Sequence, residues 1–237
     1  MLIPSIDLMG GKIVQLVQGE RKALESSDFD YWIDRFSRYP LVQLIDLDAA
    51  KGLGSNHQLM ATICARIPCQ AGGGIRNVAR AQELLALGAK RVIFGSSLIK
   101  DGRINAAFAE ECSRDLGRDH LTFSVDSRGG RVAIHGWKED AGIEPRAMMQ
   151  ALEPYCSAFL YTHIDTEGTL SGFPLDVARD LRSITSRRLI VAGGIRSLAE
   201  VEALEMIGAD AVVGMAMYVG AIAPEIPSGA RDPYHFG

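Results

Sequence analysis

The sequence has no two cysteines in CxxC spacing. Cys64, Cys69, Cys112 and Cys156 are the only four among 237 residues. They read as small buried hydrophobes of a protein kept in a reducing cytosol, not as a zinc or disulfide framework. Runs of basic residues are missing too, and aromatic residues are not interleaved with basic ones. The net charge is −4. Nucleic acid is therefore not expected as a partner. Residues 1–7 carry no basic segment and no long apolar stretch follows. No signal peptide and no membrane span are expected, and the cytoplasm is the expected location.

What is present is repetition. Ser5-Ile6-Asp7-Leu8-Met9-Gly10-Gly11-Lys12-Ile13 returns as Ser124-Val125-Asp126-Ser127-Arg128-Gly129-Gly130-Arg131-Val132. Asp126 stands 119 residues after Asp7, half the chain. Gly73-Gly74-Ile75-Arg76 returns 120 residues later as Gly193-Gly194-Ile195-Arg196. Two motifs in the same order at nearly the same shift describe two similar halves. The expected divisions are about 1–118 and 119–220 within one domain of 1–237. An irregular tail is expected over about 223–237, because prolines and glycine interrupt that stretch. Hydrophobic residues make up 47% and charged residues 23%, which suits a large core.

Short β-rich runs alternate with helical patterns. Strands are expected at 2–7, 42–46, 69–71, 91–94, 121–126, 158–163, 189–192 and 211–213, several of them continuously apolar, as parallel strands covered by helices are. Helices are expected near 31–38, 57–66, 77–87, 104–116, 145–153, 175–183 and 198–207. Gly88 and Gly208 stand where helices end. Ser197 with Glu200 has capping-box spacing. Eight strand-helix units with half-chain similarity describe an α/β fold, a single (β/α)8 TIM barrel built from two half-barrels.

Active sites of such barrels gather at the C-terminal strand ends. Asp7 ends the first strand and Asp126 the fifth, on opposite sides of one cleft. One carboxyl can take a proton while the other gives one. The plainer alternative is that each Asp caps the Gly-Gly turn behind it. Gly73, Gly74 and Arg76 follow the third strand, with Gly95 and Ser96 after the fourth. Gly193 and Gly194 follow the seventh, with Gly214 and Met215 after the eighth. Glycine lets backbone N–H groups approach a phosphate, and loops after strands 7 and 8 are a common phosphate seat. Two such seats imply a small-molecule substrate with a phosphate at each end; tight turns alone are the alternative. Behind the sixth strand, Thr162, Glu167 and Gly168 form a polar loop in which Glu167 is a candidate acid. His163 is either a satisfied barrel-end histidine or a substrate contact. Trp137 either stacks on a flat ring or plugs its loop. Gln15 and Gln18 lie after the first strand, where polar substrate contacts fit.

These residues resemble the histidine-biosynthesis isomerases that act on phosphoribosylformimino-5-aminoimidazole carboxamide ribotide (ProFAR). The resemblance rests on residues 3–8 with Gly10 and Gly11, on 72–76, Val125-Asp126, Gly136-Trp137 and 168–172. It covers the chain up to about Tyr218. It implies an Amadori rearrangement of an aminoaldose to an aminoketose (PRFAR), with no metal or organic cofactor. It implies Asp7 as the base that removes the C2 proton, and Asp126 or the carboxylate before Gly168 as the acid. This chain has Glu167 where Asp is usual, Gln15 where Arg is usual and His163 where Asp is usual. The rival readings are the sister cyclase working with a glutaminase, an isomerase that also converts phosphoribosylanthranilate, and a non-catalytic bisphosphate-binding barrel. A monomer is expected.

Overall fold

A computed structural model describes residues 1–223; the tail expected over about 223–237 lies almost wholly outside the described residues. Eight parallel strands form the frame: β1 Leu2–Met9, β2 Val42–Asp46, β3 Cys69–Gly72, β4 Arg91–Phe94, β5 Leu121–Arg128, β6 Ala158–His163, β7 Arg188–Ala192 and β8 Ala209–Val213. Each pairs with the next in chain order. β8 pairs with β1, which closes the barrel. The expected (β/α)8 fold is therefore the observed one, and all eight expected strand positions are strands. β1 and β5 run on beyond their Asp residues, because each turns through a Gly-Gly pair and pairs with the antiparallel strand that follows.

Besides a short helix at Leu47–Lys51 directly behind β2, the helices are α1 Phe29–Phe36, α2 His57–Arg66, α3 Val78–Ala86, α4 Ala106–Leu116, α5 Pro145–Leu152, α6 Leu175–Ile184, α7 Leu198–Ile207 and the single turn α8 Met215–Tyr218. Local chemistry sets their ends. The Asp28 carboxylate accepts from Tyr31 N–H, so α1 starts two residues before the expected 31. Asn105 caps α4, since Arg103–Ile104 is held in a two-stranded ribbon with Ile99–Lys100. Ser197 caps α7 through Glu200 N–H, and Gly208 in the left-handed region closes that helix. The capping box at its start is incomplete: Glu200 accepts instead from the backbone N–H and the Nε of Arg196. A hairpin of Lys12–Val17 and Arg21–Ser26 after β1 went unrecognised in the sequence. Its inner strand is buried while its outer strand is mostly exposed.

Alternate strand residues face two different cores. Ile3, Ile93, Ala158, Leu160, Ile190 and Val212 fill the barrel interior. A larger shell, from Ile6 and Leu44 to Phe94, Phe123 and Phe159, lies between strands and helices. Buried Ser5, Gln43, Gln70, Thr122 and Ser124 add polar groups to the strands. Gln70 Nε2 donates to Gln43 Oε1 at 3.0 Å across neighbouring strands. No helix among the described residues is long and apolar enough to cross a membrane.

Candidate active site

Asp7 and Asp126 sit at matching places and make matching bonds. Ser5 Oγ donates to Asp7 Oδ1 at 3.0 Å, and Ser124 Oγ donates to Asp126 Oδ1 at 2.7 Å. Neither Asp caps its Gly-Gly turn. Gly10 N–H goes to Asp48 Oδ2 at 2.7 Å and Gly11 N–H to Asn56 Oδ1. In the other half Gly129 N–H goes to Asp165 Oδ2 at 2.9 Å. The turns are satisfied by the neighbouring loop, which leaves both strand-end carboxylates facing the cleft.

That cleft is a cavity of about 460 Å³, an ordinary size for a small-molecule site. Asp7, Asp126 and Glu167 all line it, with Thr162, Trp137, Gly73, Gly74, Arg76, Gly95 and Ser96. Lys51, Ser124 and His135 join them. Burial pushes the Asp7 carboxyl up to about 6 although Ser5 donates to it. Burial, with the charges of Asp7 and Asp126 close by, pushes Glu167 up to about 8. Two carboxyls on one cavity are thereby separated, one mostly ionised and the other mostly protonated at neutral pH. The third, Asp126, has both oxygens engaged. Its Oδ2 accepts from Trp137 Nε1 at 2.7 Å. Trp137 therefore does more than plug its loop: its indole is bonded to a candidate catalytic carboxylate.

The GGIR turns are glycine for a measurable reason. A Cβ on Gly73 would lie 2.2 Å from the Asp46 carbonyl oxygen, and one on Gly193 would lie 2.4 Å from that of His163. A Cβ on Gly74 would lie 2.5 Å from Ala49 O, and one on Gly194 would lie 2.8 Å from Thr166 O. All four have positive φ. Each turn crosses the preceding loop backbone to backbone. The match also aligns the loops after β2 and β6: Asp46 with His163, Ala49 with Thr166, hence Ala50 with Glu167 and Lys51 with Gly168.

The two expected phosphate seats differ in access. Gly73, Gly74, Arg76, Gly95 and Ser96 line the cavity, whereas Gly193, Gly194, Gly214, Met215 and Gly168 do not. Gln15 is buried against Gly214: its Oε1 lies 2.5 Å from where a Cβ would be. Gly168 lies so close to Leu16 that a Cβ would sit 2.2 Å from the Leu16 oxygen. Gln18 N–H donates to Glu167 O at 3.0 Å, and Gln18 Nε2 to Asp165 O at 2.9 Å. Hairpin and Glu167 loop are thus zipped together over the second seat. His163 stays beside its own loop, its Nδ1 3.0 Å from Thr166 Oγ1 and its ring edge-on to Phe173.

Sequence reasoning passed over Lys51 and His135, which carry no motif. Ser5 and Ser124 stood inside the repeated segment, two residues before each Asp, and that spacing was the available signal. Among the described residues no group of three or more His, Cys, Asp or Glu is arranged to hold a metal ion.

A closed barrel with three carboxyls converging over one cavity is the frame of an acid–base enzyme. The comparisons with known proteins give the family. The profile of the histidine biosynthesis protein family matches residues 1–223, and the chain belongs to that family. It is 34% identical over 231 residues to a protein of Methanocaldococcus jannaschii, covering 94% of this chain and 95% of the other. It is 34% identical over 230 residues to one of Thermus thermophilus (93% and 95% covered), and 35% over 231 residues to one of Methanothermobacter thermautotrophicus (94% and 95%). All three bear the name 1-(5-phosphoribosyl)-5-((5-phosphoribosylamino)methylideneamino) imidazole-4-carboxamide isomerase.

Proposed function

We propose that this chain is the aldose–ketose isomerase of histidine biosynthesis for which those relatives are named, converting the aminoaldose ProFAR to the aminoketose PRFAR. The observation that carries the reading is the pair of carboxyls on one cavity held at about 6 and about 8. Glu167, protonated, gives its proton to the ring oxygen of the ribosylamine. The ring C–O bond breaks as the nitrogen lone pair forms a C1=N bond, giving a protonated imine. Asp7, ionised, then removes the C2 proton, and the C=N electron pair returns to the nitrogen to give a neutral enaminol. In ketonisation C1 gains a proton and the C2 hydroxyl loses one, so the overall composition is unchanged. The chemistry asks for no metal and no organic cofactor. Asp126 is assigned to orientation through Trp137, because both its oxygens already accept hydrogen bonds.

One phosphate is assigned to Gly73, Gly74, Arg76, Gly95 and Ser96, all open to the cavity. The other is assigned to Gly193, Gly194, Gly214 and Met215, with Thr162 and Gly168 nearby. Seating it requires the hairpin and the Glu167 loop to part. The working unit we propose is a monomer. Four free, buried cysteines support a reducing compartment, the cytoplasm.

The test is turnover of the aminoaldose by the purified chain, followed by chromatography, without added metal, ammonia or glutaminase. Formation of the aminoketose is expected. Absence of turnover, or turnover only with ammonia, overturns the assignment.

A further inference from the structure

We infer that Lys51 is a positioning residue, a tie between three loops that sets Trp137 on Asp126. Lys51 closes the short helix Leu47–Lys51 behind β2 and lines the cavity. Its ammonium donates to the Gly19 carbonyl at 3.0 Å, at the hairpin turn. Its Cγ lies 3.5 Å from where a Cβ on Gly136 would be, so the aliphatic stem packs on the Trp137 loop. Gly19 in turn lies under the indole: a Cβ there would sit 2.6 Å from Trp137 Cε3. The far end of that indole donates to Asp126.

The segment held in this way is strained. His135, Gly136 and Trp137 have φ of 55, 68 and 69° in succession. Two of the three carry side chains that disfavour the left-handed region. Such a backbone persists only where its surroundings fix it. Here the fixing contacts are His135 N–H to Ser96 Oγ at 3.0 Å, Arg128 to the Trp137 carbonyl at 3.3 Å, the Trp137–Asp126 bond and the Lys51 stem. The pseudo-twofold relation sharpens the point. The place of Lys51 is taken in the other half by Gly168, where the absence of a side chain lets the hairpin close directly onto the loop. In the first half a long cationic side chain fills that gap. It keeps the first seat open while still joining the loops.

The catalytic part of this inference rests on the proposed isomerase activity; the placement of Trp137 does not. The test therefore has two arms. Lys51→Met keeps the stem and removes the donor, and Lys51→Arg keeps a donor. In the protein without substrate, the Trp137 fluorescence, obtained by difference from Trp137→Phe, is read by acrylamide quenching. Lys51→Met is expected to raise the Trp137 quenching constant at least twofold, with Lys51→Arg near wild type. In the activity assay Lys51→Met is expected to raise KM for the aminoaldose about fivefold to twentyfold with kcat changed less than threefold, and Lys51→Arg to recover most of it. Unchanged Trp137 quenching in Lys51→Met overturns the inference whether or not the enzyme turns over. A fall in melting temperature shared by both variants, with KM unmoved, reduces Lys51 to a structural role and equally overturns it. Lack of turnover in the wild-type chain counts against the isomerase reading alone, because the fluorescence arm is read without substrate.

Discussion

The two half-barrels share their scaffolding and differ in their loops. Ser5 with Asp7 repeats as Ser124 with Asp126. The bond from Asp48 to the Gly10 turn repeats as the bond from Asp165 to the Gly129 turn. The crossings of Gly73 and Gly74 repeat at Gly193 and Gly194. Loop side chains at matching places do not repeat. In the first half, Asp46 binds Asn56 and Ser55 and caps a helical turn; in the second, His163 stands there and reaches only its own loop. Ala50 and Lys51 answer to Glu167 and Gly168. The contacts that fix the backbone tolerate no change of residue type, because carbonyl oxygens occupy the space. The loop side chains face a cavity, where substitution changes chemistry before it changes fold.

The sharpest way to break the equivalence is at the repeated Asp. Asp7→Asn is expected to lower kcat/KM about 10³–10⁴-fold, the range of a lost general base. Asp126→Asn is expected to cost clearly less, since the assigned role of Asp126 is to hold Trp137. Steady-state kinetics of both variants decide this. Equal losses would restore symmetric roles to the two carboxylates.

The pH profile separates the halves further. As the proposed base Asp7 has to be ionised, so kcat/KM of the wild type is expected to rise through about pH 6. As the proposed acid Glu167 has to be protonated, so it is expected to fall through about pH 8. Glu167→Gln is expected to lose about 10²–10³-fold and to abolish the upper limb. Stability follows the same carboxyl. Its folded pKa lies above the ordinary 4.5, so the folded state holds the proton more tightly than the unfolded chain does. The destabilisation by its charge is absent below about pH 4.5, grows as pH rises and is complete above about 8. Denaturation at pH 9 should find Glu167→Gln about 2–4 kcal/mol more stable than wild type. At pH 4 the two should coincide. An unaltered upper limb in Glu167→Gln would remove Glu167 from the acid role.

Glycine substitutions test the shared scaffold. Gly73→Ala and Gly193→Ala each drive a Cβ to within 2.2 and 2.4 Å of a backbone oxygen, at positive φ. Both are expected to lose about 3 kcal/mol or more in urea unfolding. Gly136→Ala, with only the flexible Lys51 stem near it at 3.5 Å, is expected to lose about 1–2 kcal/mol from the left-handed backbone alone. A mild Gly193→Ala beside a severe Gly73→Ala would mean that the second crossing can relax.

The architecture was legible because a parallel strand buried on both faces leaves a continuous apolar run, and because the duplicated motifs fall at strand ends. The hairpin after β1 was not. Arg21–Ser26 is largely exposed, so its composition lacks the apolar content by which strands are recognised. Asp7 and Asp126 were legible through duplication, and Glu167 through its place beside Gly168. The links of Trp137 to Asp126 and of Lys51 to Gly19 were not, because they join residues 11 and 32 positions apart on loops whose course no periodicity records. The difference in access between the seats was hidden for the same reason: it depends on Gln15 meeting Gly214 across the closure of the barrel.

The smallest effect probes the symmetry most closely. Asn77 Oδ1 accepts from Arg80 N–H at 2.8 Å at the start of α3, and Ser197 Oγ accepts from Glu200 N–H at 3.3 Å at the start of α7. These positions lie 120 residues apart and directly behind the two GGIR turns. Replacing either cap with Ala removes one acceptor from an open helix end, at a cost of about 1 kcal/mol. The surroundings are unequal in one respect. Glu200 also accepts the Arg196 N–H and remains in place in Ser197→Ala, so the α7 start keeps a second tie to the turn. Asn77→Ala should therefore be the more damaging of the two, by about 0.5 kcal/mol, in urea unfolding at one pH. If Ser197→Ala costs more, the Glu200 contact depends on the Ser197 cap. The two bonds would then act as one unit, and the second half would have gained a cooperative helix start that the first half lacks.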